Sequence, residues 1–84
     1  MISKQELSGA EIKIIEHQMK KNQPKETKIT FNRLVESGIT PMNAKKYIGQ
    51  CVAVEIQDIL TNQVPFNEQR YVENLKKLPQ EPVG

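Results

Sequence analysis

Thr40-Pro41-Met42-Asn43-Ala44-Lys45-Lys46-Tyr47-Ile48-Gly49-Gln50-Cys51-Val52-Ala53-Val54-Glu55-Ile56-Gln57-Asp58-Ile59-Leu60-Thr61-Asn62 is the stretch that decides the fold. Thr40 is an N-cap residue whose hydroxyl can accept an otherwise unpaired N–H of the first turn, and Pro41 follows at the first helical position, where a missing N–H costs nothing. Only Gly49 interrupts the run before Asn62. The spacing predicts a helix of about 33 Å over 41–62, against about 15–21 Å for any other helix in the chain. Wound at about 100° per residue, Met42, Ala44, Ile48, Cys51, Val52, Ile56, Ile59 and Leu60 cover well over half of its circumference, and Asn43, Lys46, Gln50 and Gln57 hold the remainder. A surface helix needs an apolar stripe only slightly wider than about 100°, so this one is expected to be covered from more than one side. The simplest arrangement puts a second helix on its N-terminal half and a fourth on its C-terminal half, with the first closing the bundle. A second copy of the chain is the other way to cover it.

The flanking sequence supplies those helices. Asn67 caps a fourth one, with Phe66 and Tyr71 placed as a hydrophobic staple and Tyr71, Leu75 and Leu78 facing inward before Pro79 stops it. Gly38 provides the left-handed end of a second helix, from about Pro24 to Glu36, which turns Phe31, Leu34 and Val35 inward and leaves Ile29 less well aligned. The first helix starts at a capping box of Ser8 and Glu11, with Leu7 and Ile12 as its staple, and runs to about Asn22 before Pro24. No strand-like alternation, repeat or low-complexity tract competes. The expected fold class is all-α, a small bundle of four helices around the long helix at about 41–62, with residues 1–78 as one domain and 79–84 as a flexible tail.

Composition narrows the function classes. A chain of 84 residues buries only about 60% or slightly more of its unfolded surface. With 37% apolar residues, 5% aromatics and no Trp, its core must come mainly from Ile, Val and Leu, which leaves no room for a large buried cleft. Twelve Lys and Arg against ten Asp and Glu give a charge of +2, too near balance for a nucleic-acid footprint without a local patch. The single cysteine, Cys51, rules out an intramolecular disulfide and a cysteine-based metal site, and fits a reducing compartment. Met1 to Glu6 lack the basic start and apolar run of a signal peptide, and no stretch approaches the roughly 20 apolar residues that cross a bilayer. A cytoplasmic protein without membrane, metal or cofactor is expected.

Glu55 is the oddest residue, a carboxylate inside the apolar arc of the long helix. Burial there requires an ion pair, hydrogen bonds or a neutral form, because an unpaired buried charge costs several kcal/mol. Arg33, Arg70 and the Tyr71 hydroxyl are its candidate partners in a buried polar anchor; the alternative is an enzyme using a perturbed Glu55. Nucleophilic catalysis lacks parts, since the only histidine, His17, has no nucleophile beside it. His17 is read on one face with Ala10 and Ile14, opposite an Ile12, Ile15, Met19 stripe, which makes Ala10, Ile14 and His17 a candidate interface. Glu55 and Asp58 alone do not make a metal site, and the four isolated glycines do not make a phosphate loop.

From Thr30 to Ile48 a helix, a glycine turn and a second helix resemble a helix-turn-helix. In that alternative reading, over about 30–50, Asn43, Lys46 and Gln50 face the groove and Lys45 reaches phosphate. Against it, Leu34 stands where the motif prefers a small residue, and the second helix is about twice the usual length. The same stretch is superficially similar to a ubiquitin-associated three-helix module through Leu34, Gly38 and Ala44, although Ser37-Gly38-Ile39 departs from that module's turn.

Arg33-Leu34, Ser37-Gly38-Ile39-Thr40, Ala44-Lys45, Glu55-Ile56, Pro65-Phe66-Asn67, Arg70-Tyr71 and Leu75 to Leu78-Pro79 resemble small bacterial helical proteins, a domain family of unknown function. The resemblance spans Arg33 to Pro79. It implies a bacterial cytoplasmic helical protein, transfers no activity, and points to Glu55 and Tyr71. The function expected from these residues is a non-catalytic protein–protein interaction module that homodimerises through helical apolar faces. An unidentified protein partner could use the same faces.

Overall fold

The computed structural model describes residues 9–80, apart from the side chain of Ala10. It arranges them as α1 (Gly9–Lys21), α2 (Lys25–Glu36), α3 (Pro41–Asn62) and α4 (Glu68–Lys77). Among the described residues there are no strands, so the fold is the expected all-α bundle around one long helix. The roles expected of Leu7 and Ser8 at the start of α1, and of residues 81–84 in the tail, lie outside the described residues.

The helix ends follow from local chemistry. Thr40 Oγ1 accepts the Asn43 N–H at 3.2 Å, and Asn67 Oδ1 accepts the Arg70 N–H at 3.0 Å, which caps α3 and α4 as the sequence predicts. The end of α2 is a Schellman motif. The Ile39 N–H donates to Leu34 O at 3.1 Å and the Gly38 N–H to Val35 O at 3.0 Å, and Gly38 at φ 101° takes the conformation that a side chain would strain. The other two left-handed stops use no glycine. Asn22 (φ 55°) ends α1, with the Gln23 N–H on Gln18 O at 3.0 Å, and Gln63 (φ 53°) ends α3, with its N–H on Ile59 O at 2.9 Å.

Ile15, Leu34, Ala44, Ile48, Cys51, Val52, Tyr71, Leu75 and Leu78 form the core. Helix α3 packs against α1, α2 and α4, and α2 also packs against α1 and α4, so the long helix is covered from more than one side. The cover is narrower than its apolar arc. Its buried side chains Ala44, Ile48, Cys51, Val52 and Glu55 fall within about 100° of the wheel, an ordinary stripe. Met42 (61% exposed) and Leu60 (75%), expected inside the covered arc, lie beyond that stripe and face out. On α1 the core face is Ile14, Ile15, Gln18 and Met19, which corrects the placing of Ile14 on a face opposite Ile15: it packs against the core, whereas His17 is exposed. Among the described residues no helix is long and apolar enough to cross a membrane.

Candidate functional site

Glu55 is fully buried, and α4 is built onto it. Arg70, one turn into α4, donates from Nε to Glu55 Oε2 at 2.7 Å and from Nη2 to Oε1 at 2.9 Å, a two-pronged geometry that a guanidinium matches and an ammonium does not. The backbone N–H of Asn67, the cap residue of α4, donates to Oε1 at 3.0 Å. A carboxylate is thus held at the helix N-terminus, where the macrodipole favours negative charge. Arg70 Nη2 also donates to Asp58 Oδ2 at 2.8 Å, and Asn62 Nδ2 to Asp58 Oδ1 at 2.7 Å. These two bonds, Arg70 first, hold the Asp58 carboxyl below its ordinary range. The bonds from Glu55 and then Asp58 raise the Arg70 guanidinium further above its already high value.

Of the three partners expected for Glu55, only Arg70 is one. Arg33 instead donates from Nη1 to Leu78 O at 2.9 Å and from Nη2 to Leu75 O at 3.0 Å, so α2 supplies a cation to the carbonyls at the end of α4. The Tyr71 hydroxyl turns the other way. It donates to Gln18 Oε1 at 2.7 Å and lies 3.1 Å from Thr27 Oγ1, which itself donates to Gln18 Oε1 at 2.8 Å. Burial pushes the Tyr71 phenol above its ordinary value, with the Thr27 bond acting in the opposite sense. Burial and then Glu55 push the Cys51 thiol up to about 12, so it stays a neutral core residue at neutral pH. Gln18 and Thr27 escaped sequence reasoning. Their signal was position: Gln18 is one turn from Ile14 and Ile15, and Thr27 stands seven residues before Leu34 on the same face.

The surface at this end of the bundle is apolar at its tip. Leu60, Val64 (37% exposed) and Phe66 (38%) lie where α3 passes into α4, and Phe66 meets Tyr71 edge-on with 5.3 Å between ring centres, as the staple predicts. Two open depressions flank Asp58. One, of about 240 Å³, is lined by Val54, Gln57, Asp58, Thr61, Asn62 and Arg70. The other, of about 440 Å³, is lined by Asp58, Val64, Pro65, Phe66, Asn67 and Glu68. The residues of the helix-turn-helix reading are spread differently. Asn43 is exposed, Lys46 and Gln50 are half-buried, and Lys45, rather than standing free for phosphate, has its Nζ 3.6 Å from Glu16 of α1. Among the described residues no three His, Cys, Asp or Glu side chains gather as metal ligands. No protein-family model, curated protein or solved structure matches the chain.

Proposed function

We propose that the chain is a non-catalytic protein-interaction module that pairs with a second copy of itself through the end of the bundle where α3 passes into α4. One observation carries this. Of the five large hydrophobic side chains exposed among the described residues, Leu60, Val64 and Phe66 fall within residues 60–66, at one end of the molecule. Clustered exposed apolar residues mark interaction sites, whereas scattered ones need no explanation. Compared with the sequence-based expectation, the interface moves from Ala10, Ile14 and His17 on α1 to the far end of α3, because Ile14 is used by the core. The non-catalytic part of the proposal is supported by Glu55, whose two oxygens are engaged by Arg70 and Asn67 and which is closed to solvent. A free, buried Cys51 fits a reducing compartment, so the proposal assigns the module to the cytoplasm.

Sedimentation equilibrium from micromolar to sub-millimolar concentration tests the proposal. A dimer is expected, and Leu60→Glu should weaken it about tenfold or more, because a charge then replaces an apolar contact. Circular dichroism should show the helices unchanged, since Leu60 is 75% exposed. A wild-type chain that stays monomeric throughout the range ends the proposal.

A further inference from the structure

The charges of the chain are unevenly placed. None of its twelve Lys and Arg falls between Lys46 and Arg70, whereas Glu55, Asp58 and Glu68 all do. Arg70 is bonded to both Glu55 and Asp58, one cation for two carboxylates. Glu68, exposed at the first residue of α4, is engaged by no ion pair among the described residues. Asp58 and Glu68 line the same depression of about 440 Å³, and the other residues around it are Val64, Pro65, Phe66 and Asn67. Val64 and Phe66 are both more than a third exposed, and Pro65 has no N–H to offer. Asn67 is already used, its N–H on Glu55 and its Oδ1 on the Arg70 N–H. The depression therefore combines an apolar wall with two carboxylates and is lined by no basic side chain.

Such a surface is complementary to a side chain with an aliphatic stem and a cationic end. We infer that the depression receives a lysine or arginine of a partner protein, from a segment in which an apolar residue stands beside the basic one. The stem lies on Val64 and Phe66, the charged end meets Asp58 and Glu68, and the apolar neighbour covers the rest of the wall. An acidic segment would instead face two carboxylates with no cation to receive it. The open shape suits a protein segment, because small-molecule sites enclose most of their ligand, whereas exposed apolar surface rimmed by polar groups marks protein contacts. Leu60 is not among the lining residues, so this inference stands apart from the pairing of copies.

The test is an NMR titration of the full chain with a short blocked peptide of lysines and leucines. The amide signals of Val64, Phe66, Asn67 and Glu68 should shift in a saturable way, and salt should weaken the binding. Glu68→Lys should weaken it about tenfold, and Glu73→Lys, an equally exposed position of α4 outside the depression, should leave it unchanged. Circular dichroism should report equal helicity in both variants. The same peptide with serine for leucine should bind about fivefold more weakly, and its glutamate counterpart should not shift these signals. No shift at millimolar peptide, shifts centred on other acidic residues, or equal weakening by Glu68→Lys and Glu73→Lys overturns the inference. Spermidine acting as strongly as the lysine–leucine peptide also overturns it, because charge alone would then suffice. Sedimentation of the same samples reads the pairing of copies separately: a chain that is monomeric yet binds the peptide supports this inference and ends only the pairing.

Discussion

Three oxygens, on Gln18, Thr27 and Tyr71, share two hydroxyl protons in three short contacts, and this cluster joins α1, α2 and α4 inside the core. Tyr71→Phe removes one proton but leaves Thr27 bonded to Gln18, so it should cost about 1–2 kcal/mol in urea unfolding. Glu55→Gln should cost more, about 2–3 kcal/mol, because it removes the charge that Arg70 and the Asn67 N–H were arranged to meet. Cys51 gives a pH signature. Its thiol is pushed up to about 12 in the fold, whereas in the unfolded chain it titrates near its ordinary value of about 8.5. Above about 8.5 only the unfolded chain sheds the proton, so the stability from the neutral thiol is complete below that value and is lost as pH rises through the alkaline range. Unfolding midpoints in guanidinium should therefore fall between neutral pH and about pH 10, and by less in Cys51→Ala. Glu55 was legible because a carboxylate breaks an apolar pattern. Its partner was one of three because a helical wheel gives the direction of a side chain on its own helix, and Arg33 and Tyr71 meet their partners only after α2 and α4 are placed.

Helix α3 begins and ends where the sequence reading places it, but only its start carries a strong local signal. Thr40 and Pro41 are a strong local signal, whereas Gln63 closes the helix in a left-handed conformation that no residue type announces there. Replacing it with glycine should raise stability by about 0.5–1 kcal/mol, read as a higher melting temperature, since a side chain in that conformation carries a steric cost glycine avoids. Loss of stability in Gln63→Gly would show instead that the side chain contributes. Helix α4 is only ten residues long and is held at its start by Glu55, in its middle by Gln18 and Thr27 and at its end by Arg33. Arg33→Ala should take the side-chain bonds from the carbonyls of Leu75 and Leu78, and amide exchange in the last turn of α4 should speed up about tenfold with little change in α1.

At the scale of the molecule, the helix count, order and boundaries were legible because capping residues, proline and glycine act locally. How far the long helix is covered was not, because an apolar arc sets an upper limit on burial and the packing of α1, α2 and α4 decides how much is used. The Tyr71 cluster escaped for the same reason: Gln18 and Thr27 stand more than forty residues before Tyr71 and meet it only once α1, α2 and α4 are placed. That cluster also has a consequence for the order of events in synthesis. A ribosome delivers α1, α2 and the whole of α3 before residue 71 exists, yet Gln18 and Thr27 each wait for its hydroxyl, and the ring itself fills the middle of the core. The nascent chain therefore holds three helices around an incomplete centre until residue 71 has left the exit tunnel.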